Sequence, residues 1–158
     1  MSNIQEFRNS GKAIEFFDEN GNLQQNLLIK GNNLLALYSL RERLAGKVKL
    51  IYIDPPYNTE SDSFTYNDSF NHSSWLTFMK NRLEVARDLL KEEGVIFVQC
   101  DDNEQAYLKV LMDEIFGRSN FLNQISVKMK QTSGASGGGE DKKLKKNIEY
   151  IIIYTKNM

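Results

Sequence analysis

The sequence predicts an α/β protein: a parallel sheet with an antiparallel pair of strands at its C-terminal end. Short β-branched runs, Val48 to Ile53 and Val95 to Val98, alternate with stretches whose leucines and aromatics recur every three or four positions. That alternation is the pattern of strands joined by crossover helices. Glycine, proline or polar clusters stop each run abruptly, as element boundaries do. The last run, Ile148 to Tyr154, follows a glycine- and serine-rich stretch instead of a helical one, which fits a hairpin-like return and not a crossover.

Residues 1–26 carry scattered apolar positions and an Asn20-Gly21 turn signal, so a peripheral arm with some helix is expected there. Leu27-Leu28-Ile29-Lys30, stopped by Gly31, is a candidate buried strand. Leu34, Leu35, Leu37, Leu40 and Leu44 follow at helical spacing, with Gly46 placed to end the helix. The strand Val48 to Ile53 ends at Asp54-Pro55-Pro56, where two prolines forbid continuation as strand or helix.

After a polar stretch, Trp75, Phe78, Met79, Leu83, Ala86, Leu89 and Leu90 mark a long amphipathic helix, and Gly94 separates it from the strand Val95 to Val98. Asp101 with Glu104 three residues on reads as a capping box. The helix it opens carries Leu108, Leu111, Met112, Ile115 and Phe116 and stops at Gly117. Ile125 to Met129 and Ile148 to Tyr154 then form the antiparallel pair, around a loop bearing Gly134, Gly137, Gly138 and Gly139. The expected sheet holds three parallel strands and this pair, and leaves one edge uncovered.

With 158 residues, 41% of them apolar, the chain can bury a real core. A net charge of -1 gives no global signature of nucleic-acid binding. The single cysteine, Cys100, excludes a disulfide scaffold and a cysteine zinc site, and reads as a small core residue. No apolar run is long enough to cross a bilayer, and the first residues lack the apolar stretch of a signal peptide, so a soluble, cytoplasmic protein is expected. Charge is nevertheless uneven. Asp54, Glu60, Asp62 and Asp68 lie in a segment without lysine or arginine, whereas seven lysines fall between Lys128 and Lys156. The latter are either a solvated loop or a patch that meets phosphates.

The most informative segment is Ile51-Tyr52-Ile53-Asp54-Pro55-Pro56-Tyr57-Asn58-Thr59. A carboxylate stands at the carboxyl end of a strand, where open α/β sheets bind ligands. Pro55 and Pro56 present carbonyls without backbone N–H donors, and Tyr57 adds an aromatic ring with a polar tip. Such a group can grip a planar molecule bearing an exocyclic amine: Asp54 and a proline carbonyl accept its two N–H bonds while the ring of Tyr57 stacks on its face. The bland alternative is a proline-stiffened strand exit with a surface tyrosine.

Asp54-Pro55-Pro56-Tyr57 resembles the motif of amino-methyltransferases that modify adenine N6 in DNA. Asn26 to Leu37, Trp75 to Leu83, Gly94 to Glu104 and Glu149 to Asn157 also resemble successive units of the β group of these enzymes, above all the modification subunit of type III restriction–modification systems. The resemblance covers roughly residues 26 to 157. It implies a Rossmann-like S-adenosylmethionine-dependent methyltransferase fold, double-stranded DNA as substrate, and a flipped adenine as methyl acceptor. The catalytic residues it implies are Asp54, Pro55, Pro56 and Tyr57, with Asp54 and Asn32 as cofactor-binding positions; Asn32 stands where many relatives carry aspartate. No metal is implied.

The Phe-x-Gly-x-Gly turn that cradles the cofactor in such enzymes is not found, and the Gly134–Gly139 loop lacks its phenylalanine-led setting. The expected organisation is therefore an N-terminal arm (1–25) and a partial, incomplete catalytic domain (26–158) without the cofactor turn or the target-recognition region. Two functions follow: a DNA adenine-N6 methyltransferase or a fragment of one, and a non-catalytic half-domain needing a separate cofactor-binding chain. Candidate partners are DNA, a restriction subunit, a second copy of the chain and a complementing C-terminal half.

Other constellations are weaker. Asp101, Asp102 and Glu104 could join Asp54 as a metal cluster, but helix capping explains two of them. His72 reads as a polar flank of a helix, and Trp75 and Phe78 as core. Phe64, Tyr66 and Phe70 either touch a flipped base or pin a long loop.

Overall fold

The computed structural model describes residues 16–57, 72–129 and 148–158. Phe64, Tyr66, Phe70, the Gly134–Gly139 loop and most of the lysine-rich segment lie outside the described residues. The chain divides into two compact units, Met1–Gly31 and Asn32–Met158. In the first, the predicted Asn20-Gly21 turn is present: Asp18 Oδ1 accepts the backbone N–H groups of Asn20 and Asn22, Gly21 takes φ +74°, and Phe17 bridges Leu23. Leu27 to Lys30 is not the expected strand. Leu28 is 83% and Ile29 52% exposed, and the segment has no ladder partner among the described residues. Apolar sequence alone does not make a strand, because its backbone groups need a neighbour to pair with.

The second unit opens with α1 (Asn33–Leu44), followed by β1 (Val48–Ile53), α2 (His72–Leu89), β2 (Leu90–Cys100), α3 (Gln105–Phe116), β3 (Phe121–Lys128) and β4 (Ile148–Thr155). The sheet order is β1-β2-β4-β3. β1 and β2 are parallel; β4 runs antiparallel to β2 and to β3. The sheet thus has two parallel strands instead of three, plus the expected antiparallel pair.

The core lies on one face of this sheet. Trp75, Met79, Leu83 and Ala86 of α2 and Leu108, Met112 and Phe116 of α3 pack on Ile96, Val98 and Cys100 of β2 and on Ile152 and Tyr154 of β4. Cys100 is fully buried, as its sequence setting implies. On the other face, Leu50 and Tyr52 of β1 are 58% and 52% exposed, and the Tyr52 ring stacks on Phe97 with centroids 6.4 Å apart. An apolar run such as Val95 to Val98 suits a strand covered on both sides, yet here only alternate residues are fully enclosed.

Gly94 lies inside β2 and does not precede it. The register slips there, with Val48 opposite Leu90 but Leu50 opposite Val95. A Cβ on Gly94 would sit 2.8 Å from the Lys91 carbonyl oxygen and 2.9 Å from that of Val48, so the bulge admits only glycine without a backbone shift. Gly46 and Gly117 end α1 and α3 with φ +69° and +89°, as expected.

The capping box does not form. Asp101 instead turns its carboxylate onto Asn103, and Glu104 stands at the α3 N-cap without a side-chain cap bond. The Glu104 carboxylate is fully buried and meets His72 Nδ1 at 3.0 and 3.1 Å. Ion pairing of an enclosed carboxylate outweighs an N-cap bond worth about 1 kcal/mol. His72, read as a simple flank, is therefore a structural partner, and its ring also stacks on Tyr107.

Candidate active site at the end of β1

β1 delivers Asp54 to the carboxyl end of the parallel strands, exposed at its surface. Pro55 and Pro56 then turn the chain away from the sheet. The Pro56 carbonyl accepts the indole N–H of the fully buried Trp75 at 2.8 Å. This bond fastens the turn to the first helical turn of α2 and occupies the Pro56 oxygen. No hydrogen bond engages the Pro55 carbonyl among the described residues.

Tyr57 is half-buried, and its hydroxyl donates to Glu149 Oε2 of β4 at 3.1 Å. The same oxygen accepts the side-chain amide of Gln99 from β2, whose oxygen in turn accepts the Tyr52 hydroxyl of β1. Burial, followed by the nearby carboxylates of Asp54 and Glu149, pushes the Tyr57 hydroxyl well above its ordinary range. Tyr57 is therefore a neutral donor at physiological pH.

Asp54, Pro55, Pro56 and Tyr57 thus form one constellation. Asn32 plays a different local part: its amide oxygen accepts the backbone N–H groups of Leu34 and Leu35 at 3.0 and 3.3 Å and caps α1. Among the described residues no group of three side chains could hold a metal ion, and no helix is long and apolar enough to cross a membrane. Of the predicted lysine patch, Lys156 is engaged by the Leu90 carbonyl and Glu92. Glu149, Gln99 and Trp75 were absent from the sequence-based site. Only Trp75 carried a signal, since a buried indole N–H needs an acceptor; the Glu149 contact crosses 92 positions of sequence.

The sheet order, the carboxylate at a parallel strand end and the proline-fixed aromatic beside it define a nucleic-acid methylase architecture. Residues 48–158 match the family model described as DNA methylase, and the chain belongs to that family. It is 64% identical over 137 residues to the Haemophilus influenzae protein named "probable type III restriction-modification enzyme HindVI Mod subunit", covering 87% of this chain and 18% of that protein. It is 41% identical over 170 residues to the type III restriction-modification enzyme EcoPI Mod subunit of Escherichia phage P1, covering 89% of this chain and 26% of that one. The chain therefore spans about a quarter or less of the length of these relatives. Its fold is similar to that of a DNA modification methylase from Thermus thermophilus, TTHA0409, complexed with S-adenosyl-L-methionine, with a TM-score of 0.54, 17% identity, and coverage of 78% of this chain and 53% of that chain. The sheet is part of that methyltransferase fold.

Proposed function

We propose that this chain supplies the acceptor-binding side of a DNA adenine-N6 methyltransferase of a type III restriction–modification system. The observation that carries the proposal is Asp54, exposed at the end of β1 beside a Pro55 carbonyl without a partner among the described residues, while Trp75 engages the Pro56 carbonyl. An adenine amine has two N–H groups. The Asp54 carboxylate and the Pro55 carbonyl are the two acceptors suited to it, and the Tyr57 ring lies within the same turn.

The lone pair of that amine is delocalised into the ring, so the nitrogen is a weak nucleophile. Two hydrogen bonds favour a pyramidal nitrogen whose lone pair is free to attack. The bond to the carboxylate contributes about 1.5–3 kcal/mol and stacking on Tyr57 about 1–3 kcal/mol. Together they offset a base-flipping cost of a few kcal/mol, and contacts to DNA phosphates must add the rest of the affinity.

S-adenosylmethionine supplies the methyl group when bound. The described residues fit only the acceptor side of such a site: Asp54 is present, Asn32 is committed to the cap of α1, and no glycine cradle lies among them. This favours a second reading, in which the chain acts as a half-domain that needs further sequence to hold the cofactor. Duplex DNA is the proposed substrate, a restriction subunit the proposed protein partner, and the cytoplasm the proposed location.

The test is transfer of labelled methyl groups from S-adenosylmethionine to duplex DNA by the purified protein, with nucleoside analysis of the product. N6-methyladenine that disappears in Asp54→Ala supports the assignment. Methylated cytosine as the product overturns it. Equilibrium binding of S-adenosylmethionine to the 158-residue chain separates the two readings, because the half-domain does not bind it.

A further inference from the structure

We propose that Glu149 is a positioning residue for the acceptor site: by taking the Tyr57 hydroxyl it fixes the aromatic ring and frees Asp54 for the incoming amine. This rests on the assignment of Asp54 and Tyr57 to amine binding. Pro55 and Pro56 stiffen the turn and Trp75 fastens it at Pro56, so the torsions of the Tyr57 side chain are its principal remaining freedom. A phenol carries one proton and therefore donates one full hydrogen bond. Two carboxylates, Asp54 and Glu149, stand near enough to that hydroxyl to compete for it.

If Asp54 alone were there to take the proton, one of its oxygens would be committed when substrate arrived. Glu149 accepts it at 3.1 Å, so the hydroxyl stays satisfied when Asp54 turns to the amine. Glu149 is itself held: Gln99 donates to the same oxygen, and Tyr52 donates to the Gln99 carbonyl oxygen. The chain of contacts ties β1, β2 and β4 together at the end of the sheet where Asp54 emerges. A network in which each member has its partner holds one geometry, and a stacking ring held in place is worth more to catalysis than a mobile one. Glu149 touches neither substrate nor cofactor in this scheme and acts entirely through Tyr57.

The test uses Glu149→Gln, Tyr57→Phe and the double variant in the purified protein. The first readout is the ionisation of the Tyr57 hydroxyl, followed by NMR with ring-labelled tyrosine and assigned by Tyr57→Phe. In Glu149→Gln the titration moves down toward the ordinary tyrosine range, because a negative neighbour is lost. The second is methyl transfer. Each single variant lowers kcat about tenfold, the scale of one lost charged hydrogen bond, with KM for S-adenosylmethionine unchanged. The double variant loses no more than Tyr57→Phe alone, since Glu149 has no other route to the reaction. An unmoved Tyr57 titration, or losses that multiply in the double variant, overturns the proposal. Failure of the wild-type protein to methylate adenine overturns the proposed function instead, and the Tyr57 titration still decides whether Glu149 holds the hydroxyl.

Discussion

The indole N–H of Trp75 donates to the carbonyl of Pro56 at 2.8 Å, joining the interior of α2 to the turn that carries the candidate catalytic residues. The core and the site therefore share one residue, and stability and acceptor geometry are coupled through it.

Replacing Trp75 with phenylalanine removes this donor and part of the packing while leaving an aromatic side chain. The enclosed carbonyl loses its partner, at a cost of about 1–3 kcal/mol, and Pro56 gains freedom beside Asp54. Chemical denaturation should register the loss of stability, and methyl transfer should fall in kcat more than in KM.

Gly94→Ala should destabilise the fold by about 1–3 kcal/mol, the scale of inserting a methyl group into a closely packed position. The added Cβ meets two backbone carbonyl oxygens at 2.8 and 2.9 Å, and neither can rotate away as a side chain would. A denaturation midpoint equal to that of the wild type would show that the bulge between β1 and β2 is pliable.

Burial, followed by the charges of Asp101, Glu104 and Glu149, pushes the Cys100 thiol up to about 12. The folded state therefore keeps its proton at pH values where an unfolded thiol has lost it. The sign follows directly: this group's contribution is constant below the unfolded value of 9.0 and falls as pH rises from there toward 12. Native protein should resist alkylation by iodoacetamide at pH 8, and urea should abolish the protection. Cys100→Ala should flatten the stability profile above pH 9.

Leu50 and Tyr52 leave an apolar patch on the open face of edge strand β1. Unpaired edges of this kind recruit other strands. The isolated 158-residue chain should self-associate with rising concentration in sedimentation experiments, and Leu50→Lys should shift it toward monomer. A concentration-independent monomer in the wild type would remove this edge as an association surface.

The local pattern made much of this legible. The β-branched run from Val48 to Ile53 coincides with β1, the repeat from Trp75 to Leu89 with α2, and Gly117 with the end of α3. Asp54-Pro55-Pro56-Tyr57 needed no tertiary information to be singled out, because two prolines after a strand leave few conformations open. The pattern misled where a partner was required. Leu27 to Lys30 has strand composition and no strand to pair with among the described residues, and Glu104 has capping-box spacing but is drawn into an enclosed pair with His72.

What the amino-acid sequence determined by itself was the order of helices and strands in the second unit and the proline-fixed turn beside Asp54, since both arise from interactions a few residues apart. What only the tertiary structure decided was which acceptors of that turn remain open and what holds its tyrosine. Trp75 reaches Pro56 across 19 positions and Glu149 reaches Tyr57 across 92. Contacts of that span exist only after β4 has entered the sheet beside β2, and no local periodicity encodes them.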